Sequence, residues 1–139
     1  MSNLIKMEIV TPTGTVYSGD VVSCQVPGME GSFQVLSGHT ALLSAVRIGA
    51  VKIDDEKNST QWMAITEGFC QVDEDKVIIL TDTAEIADKI DVTRAEKARE
   101  RALTRIESPQ KEDVDLKRAE AALARALNRL KTASIANRK

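Results

Sequence analysis

The sequence predicts an α+β chain in two parts: an N-terminal all-β sandwich or flattened barrel over residues 1–84, then a C-terminal antiparallel α-helical hairpin over residues 85–139. Three observations predict it. Short β-branched runs separated by Gly, Pro and Asp turns fill the first part. Between Asp91 and Glu107 there is no Gly or Pro, and small apolar residues recur at helical spacing. The charge also changes sign: residues 1–84 carry 5 basic and 11 acidic side chains, net −6, whereas residues 85–139 carry 14 basic and 10 acidic, net +4. Surfaces of opposite sign imply different partners.

The strands follow in order. Residues 4–10 end at the turn Thr11-Pro12-Thr13-Gly14, residues 15–17 at Ser18-Gly19-Asp20, residues 21–26 at Pro27-Gly28, and residues 32–36 at Ser37-Gly38. An apolar stretch over 41–53 is interrupted at Gly49, and 54–60 is a polar loop. Residues 61–66, 69–72 and 76–81 complete the set, with Gly68 and Asp73-Glu74-Asp75 as turns. Short strands with turn signals roughly every 8–12 residues read as a sandwich or barrel. Aromatics make up only 3% of the chain, so the core is expected to be built from Val, Ile, Leu and Ala. A sheet domain this small gains stability by docking against something.

In the second part, Asp91 is placed to cap a helix. Ala95, Ala98, Ala102 and Ile106 form its apolar face, and Ser108-Pro109 ends it, because proline disfavours helical geometry in the residue before it. After a polar link over 110–113, a second helix is expected from Val114 to at least Thr132. Its stripe is Leu116, Ala119, Leu123, Ala126 or Leu127, and Leu130. A short link favours an antiparallel pair. Alanine faces bury little area, so the pair is expected to be weakly held.

Chemistry is sparse. The single histidine, His39, stands in Leu36-Ser37-Gly38-His39-Thr40, which lacks a nucleophile elbow. It reads as a packing or turn residue, and no catalytic residue is expected. Cys24, His39 and Cys70 lack zinc-site spacing, and the acidic turn is too short for a calcium loop, so no metal is expected. There is no phosphate-loop or dinucleotide fingerprint. The small net charge of −2 and the scarcity of aromatics argue against nucleic acid. No apolar run approaches the ~20 residues of a membrane-spanning helix, so any membrane association is expected only through a partner. No signal peptide is expected, and both cysteines are expected to be buried free thiols.

One pattern carries more. Arg94, Arg101 and Arg105 are spaced by seven and four, and Arg118, Arg125 and Arg129 repeat that spacing. Both intervals return a side chain near one helix face. One reading is two solvated faces with local acidic partners such as Asp91, Glu96 and Glu120. The other is a pair of stripes that converge on an anion, for which the planar guanidinium is suited.

Three segments carry a resemblance. They are Met7-Glu8-Ile9-Val10-Thr11-Pro12-Thr13-Gly14; the run from Glu30-Gly31-Ser32-Phe33 through Gly38-His39-Thr40-Ala41-Leu42-Leu43; and Ile90-Asp91-Val92-Thr93-Arg94-Ala95 together with Arg125-Ala126-Leu127-Asn128-Arg129. Together they resemble the epsilon-subunit family of bacterial F-type ATP synthases over essentially the whole chain. Ser37 departs from it, standing where many relatives carry Pro. The resemblance implies a non-catalytic subunit of the rotating central stalk in a proton-translocating complex, peripheral on the cytoplasmic face of the bacterial plasma membrane. It implies contacts with the gamma subunit through His39 and Leu42, with the c-ring through Glu30, Gly31, Ser32 and Phe33, and with the alpha/beta catalytic head through the hairpin. It implies no required cofactor, but ATP as a regulatory ligand at Glu85, Ile90, Asp91, Arg94, Ala95, Arg101, Arg125 and Arg129. A folded hairpin would permit ATP hydrolysis and an extended one would obstruct it. A free-standing ATP sensor and a small transferase stay open as alternatives at this point.

Overall fold

A computed structural model describes residues 3–108 and 113–136. The expected link over 110–113 lies mostly outside the described residues. Two compact units part between Ile86 and Ala87.

The first unit has nine strands: β1 (Ile5–Thr11), β2 (Gly14–Gly28), β3 (Gly31–Leu36), β4 (Leu42–Val46), β5 (Gly49–Asp55), β6 (Thr60–Ile65), β7 (Gly68–Val72), β8 (Lys76–Thr81) and β9 (Ala84–Ile86). One layer runs β1-β8-β7-β4, with β1 and β8 parallel and the other neighbours antiparallel. The other groups β3, β2, β5, β6 and β9. The long β2 joins them. Its first half pairs with β1, its second half with β3 and β5, and its end meets β4 at Gly28 and Val46. The result is the expected flattened barrel.

Two expectations need correction here. Ser18-Gly19-Asp20 is not a turn: Gly19 pairs with Met7 and Asp20 with Lys6, so the two short strands are one. Turn-type residues stay extended when a neighbouring strand satisfies their backbone groups. The expected set ended with residues 76–81, but a further strand, β9, follows two residues after β8 and pairs with β6.

Alternation along the strands builds the core. Ile5, Met7 and Ile9 point inward from β1, and Val51 and Ile53 from β5, all fully buried. Met63, Ile65, Val77 and Ile79 join them. Leucine, expected in this core, is absent from it. Leu4 is half-buried, and Leu36, Leu42, Leu43 and Leu80 are exposed. Branching at Cβ suits the pleated interior, whereas the leucines, branched at Cγ instead, lie outside it.

Cys24 and Cys70 are buried free thiols, as expected. Burial pushes both up to about 12 from an ordinary value of 9, and Cys24 also feels Cys70. Tyr17 is raised as well, by burial first and then by Asp55. A raised acid is neutral in the fold and ionises earlier in the unfolded chain. Its stabilisation is therefore complete below about pH 9 and declines as pH climbs towards 12, by at most ~1.4 kcal/mol per pH unit per thiol. The urea midpoint is expected to fall over that range, and to fall less in the Cys24→Ala/Cys70→Ala variant. An equal alkaline loss in both proteins would show that the thiols play no part.

The second unit opens with a 3₁₀ turn, Ala87–Lys89, followed by α1 (Val92–Glu107) and α2 (Asp113–Ala136). Asp91 caps α1, its Oδ1 accepting from the Arg94 amide at 3.0 Å, an interaction worth ~1 kcal/mol. Ser108 closes it, donating its amide to the Arg105 carbonyl at 3.3 Å. The buried line of α1 is the expected one, and that of α2 keeps the expected alanines but adds Thr132 and Ala133 and leaves the leucines less buried. In α1 the buried residues are Ala95 and Ala102, with Ala98 and Ile106 half-buried. In α2 they are Ala119, Ala126, Thr132 and Ala133, while Leu116, Leu123 and Leu130 are half-buried and Leu127 is exposed. Small residues every seventh position let two backbones approach closely, and that selects alanine over leucine at the contact line.

Candidate functional site

The barrel presents two of the expected contact segments at opposite ends of β3, a strand of 6 residues and so ~20 Å long. At one end Gly28 faces Gly31 across the turn Met29-Glu30. Gly31 has φ +131°, and a Cβ on Gly28 would lie 2.8 Å from the Gly31 carbonyl and 2.9 Å from the Phe33 ring. The turn is tied down by the Met29 amide donating to Ala45 O at 2.9 Å and by Arg47 Nε donating to Gly28 O at 3.2 Å. Glu30, Gly31 and Ser32 are exposed, whereas Phe33 is half-buried. At the other end the His39 amide donates to Leu36 O at 3.1 Å, and the Gly38 amide donates to Glu74 O at 3.3 Å. His39 Nδ1 lies 2.7 Å from the Thr40 carbonyl. A carbonyl only accepts, so Nδ1 is the donor in this contact. Leu42 beside it is 37% exposed.

Sequence reasoning missed a third feature. Ala45, Phe69, Leu80 and Val10 stand opposite one another across β4, β7, β8 and β1. With Met29 they line an open groove of about 670 Å³. Met29, Phe69 and Leu80 are each more than half exposed. The available signal was period 2 along β7: with Cys70 and Val72 inward, Phe69 and Gln71 point out. That these side chains align into one apolar row depends on cross-strand register, which the sequence does not display.

On the hairpin, the seam alanines orient the arginines. Arg94 precedes Ala95, and Arg101 precedes Ala102 while Arg105 follows it by three; Arg118 precedes Ala119, and Arg125 precedes Ala126 while Arg129 follows it by three. At ~100° per residue, every one of these offsets lies roughly 60–100° to the same rotational side of its seam. Two antiparallel helices facing each other turn that shared rotation into one common flank. Equal steps away from Glu107 and Asp113 bring Arg125 level with Ala95, and Arg129 level with Asp91.

All six arginines thus share one side of the hairpin. Arg129 is half-buried and the others are exposed. Among the described residues no ion pair engages Arg94, Arg101, Arg105, Arg118 or Arg125. Glu96 and Glu120 each follow a seam alanine by one residue, which puts them on the opposite flank. Asp91, the third acid of the solvated-face reading, precedes Ala95 by four and so lies on the arginine side, where its Oδ1 caps the Arg94 amide. Ile90 and Ala95 have buried side chains, and Asp91 is already engaged at its cap. Glu85 is half-buried on β9 of the barrel unit. Among the described residues no group of His, Cys, Asp and Glu is placed to hold a metal ion, and no helix is long and apolar enough to cross a membrane.

A barrel with an apolar outer row, joined to a hairpin with one basic flank, defines a two-unit protein built around exposed binding faces. Residues 4–87 match the beta-sandwich domain of the ATP synthase delta/epsilon chain, and residues 88–134 match its long alpha-helix domain. The chain is 41% identical over 110 residues to the ATP synthase epsilon chain of Bacillus pumilus, spanning 79% of this chain and 83% of that one. It is 45% identical over 106 residues to that of Anoxybacillus flavithermus, spanning 76% and 78%. A chain in the mitochondrial ATP synthase of Euglena gracilis shares the fold with a TM-score of 0.83 at 22% identity, over 97% of this chain and 83% of that one. The chain belongs to the ATP synthase delta/epsilon chain family, as an epsilon chain.

Proposed function

We propose that this chain is a non-catalytic central-stalk subunit of a proton-translocating F-type ATP synthase, peripheral on the cytoplasmic face of the plasma membrane, whose hairpin senses ATP and restrains ATP hydrolysis. The observation that carries the regulatory part is the single flank shared by six arginines on two weakly seamed helices. Such a flank suits a triphosphate. Guanidinium forks from both helices neutralise one ligand, which then cross-links the pair. Arg94 and Arg101 act from α1, Arg125 and Arg129 from α2. Asp91 with the backbone around Ile90 and Ala95 shapes the nucleoside end, and Glu85 belongs to the same set by family resemblance. Because ATP binds the closed hairpin better than an open one, it shifts the population towards closure. An opened hairpin reaches the catalytic head and obstructs hydrolysis.

The barrel is the coupling part. Its apolar row, with Leu42 and His39, suits a protein surface of the gamma subunit, since a contiguous apolar patch marks an interaction site. Glu30, Gly31, Ser32 and the Phe33 segment meet the c-ring.

Calorimetry tests the site. Charge-assisted bonds to phosphate are worth ~1.5–3 kcal/mol each, so Arg125→Ala and Arg129→Ala are each expected to weaken ATP binding roughly ten- to hundredfold. Lysine at either position keeps charge but loses the fork, and should fall between. ATP binding unchanged in both alanine variants would rule out this site.

A further inference from the structure

Thr132 is out of keeping with its surroundings. Its side chain is fully buried in α2, and its hydroxyl has no hydrogen-bond partner among the described residues. A helical threonine ordinarily donates to the carbonyl four residues back. Exposed Thr104 does so, to Glu100 O at 2.9 Å. Thr132, where the bond matters more, does not. Equal steps from the link bring Thr132 level with Asp88 and Ala133 level with Ala87, and α2 contacts this 3₁₀ turn. Ala87, Ile90 and Ala133 are buried around the same level. An orphaned hydroxyl therefore sits where the far end of α2 closes on the start of the unit.

We infer that Thr132 is a built-in weak point that biases the last turns of α2 towards release. A buried hydroxyl without a partner forfeits its hydration in the closed state and regains it when the segment opens. The closed state carries that penalty and the open state does not, so opening is favoured by roughly tenfold relative to an isosteric apolar side chain. The inference concerns this local equilibrium and needs no nucleotide, so it stands or falls apart from the ATP-sensing reading.

Amide exchange on the full chain without nucleotide tests it. Thr132→Val keeps the branched shape and deletes the hydroxyl. Exchange over residues 126–136 should slow roughly tenfold in this variant. Thr132→Ser keeps the hydroxyl, and its exchange should be no slower than that of the wild type. The inference is overturned if Thr132→Val exchanges as fast as the wild type, or if Thr132→Ser slows as much as Thr132→Val.

Discussion

Gly68→Val is expected to abolish cooperative folding of the barrel. Gly68 pairs with Val46 on one side and Thr81 on the other, so it is the point where β4, β7 and β8 are knitted together. A Cβ there would overlap the Leu80 carbonyl oxygen and lie 2.8 Å from its carbon and 2.9 Å from Thr81 Cα. All three are backbone atoms, held in place by the β7–β8 ladder and by the Thr81 hydroxyl donating to Thr66 O at 2.9 Å. No rotamer relieves such a contact, so the strands must part. Damage of this kind exceeds ~4 kcal/mol, most of the stability of a unit this small. Gly14→Ala is the informative contrast. Gly14 has φ +130° with nothing within 4 Å of a built Cβ, so it costs only the ~1–3 kcal/mol of backbone strain. Urea unfolding should show no transition for Gly68→Val and a shifted one for Gly14→Ala. A Gly68→Val midpoint at or above that of Gly14→Ala would refute the β7–β8 register.

Ala126→Leu is expected to pry the hairpin open. Ala126 is 1% exposed and sits on the seam, between Arg125 and the turn that carries Arg129. The added carbons have no space between closely approaching backbones, and overpacking of this sort costs ~1–3 kcal/mol. The seam is made mostly of alanines, each contributing little buried area, so this is a large share of what holds α1 to α2. Both arginines remain, yet their flank no longer lines up with that of α1. ATP affinity should therefore drop roughly ten- to hundredfold without loss of any charged group. Leu127→Ala, one residue on and 47% exposed, should change binding little. Equal affinities for Ala126→Leu and the wild type would place the seam elsewhere on α2.

The inward alternation of Ile5, Met7 and Ile9 was legible because strand period and burial coincide. The cap at Asp91 was legible because a short acidic side chain ahead of a Gly-free run has few other uses. In the α2 stripe Ala119 and Ala126 were legible and are buried, whereas burial of Thr132 and Ala133 was not, because a threonine does not stand out as a contact residue. The continuity of β2 through Gly19 was hidden for a different reason: pairing with Met7 overrides local turn preference. The arginine spacing was visible from the start. Its direction was less so, because the common flank follows only once burial singles out Ala95, Ala102, Ala119 and Ala126 within their wider apolar faces. The apolar row of Phe69 and Leu80 required register between strands, which no single segment encodes.

Nucleotide is proposed to pin the two helices together through their shared arginine flank. Amide exchange of the full chain with and without saturating ATP measures this directly. The account predicts slowed exchange across Val92–Glu107 and Asp113–Ala136 when ATP is present, with the inner strands of the barrel unchanged. Identical exchange of both helices in the two conditions would contradict it.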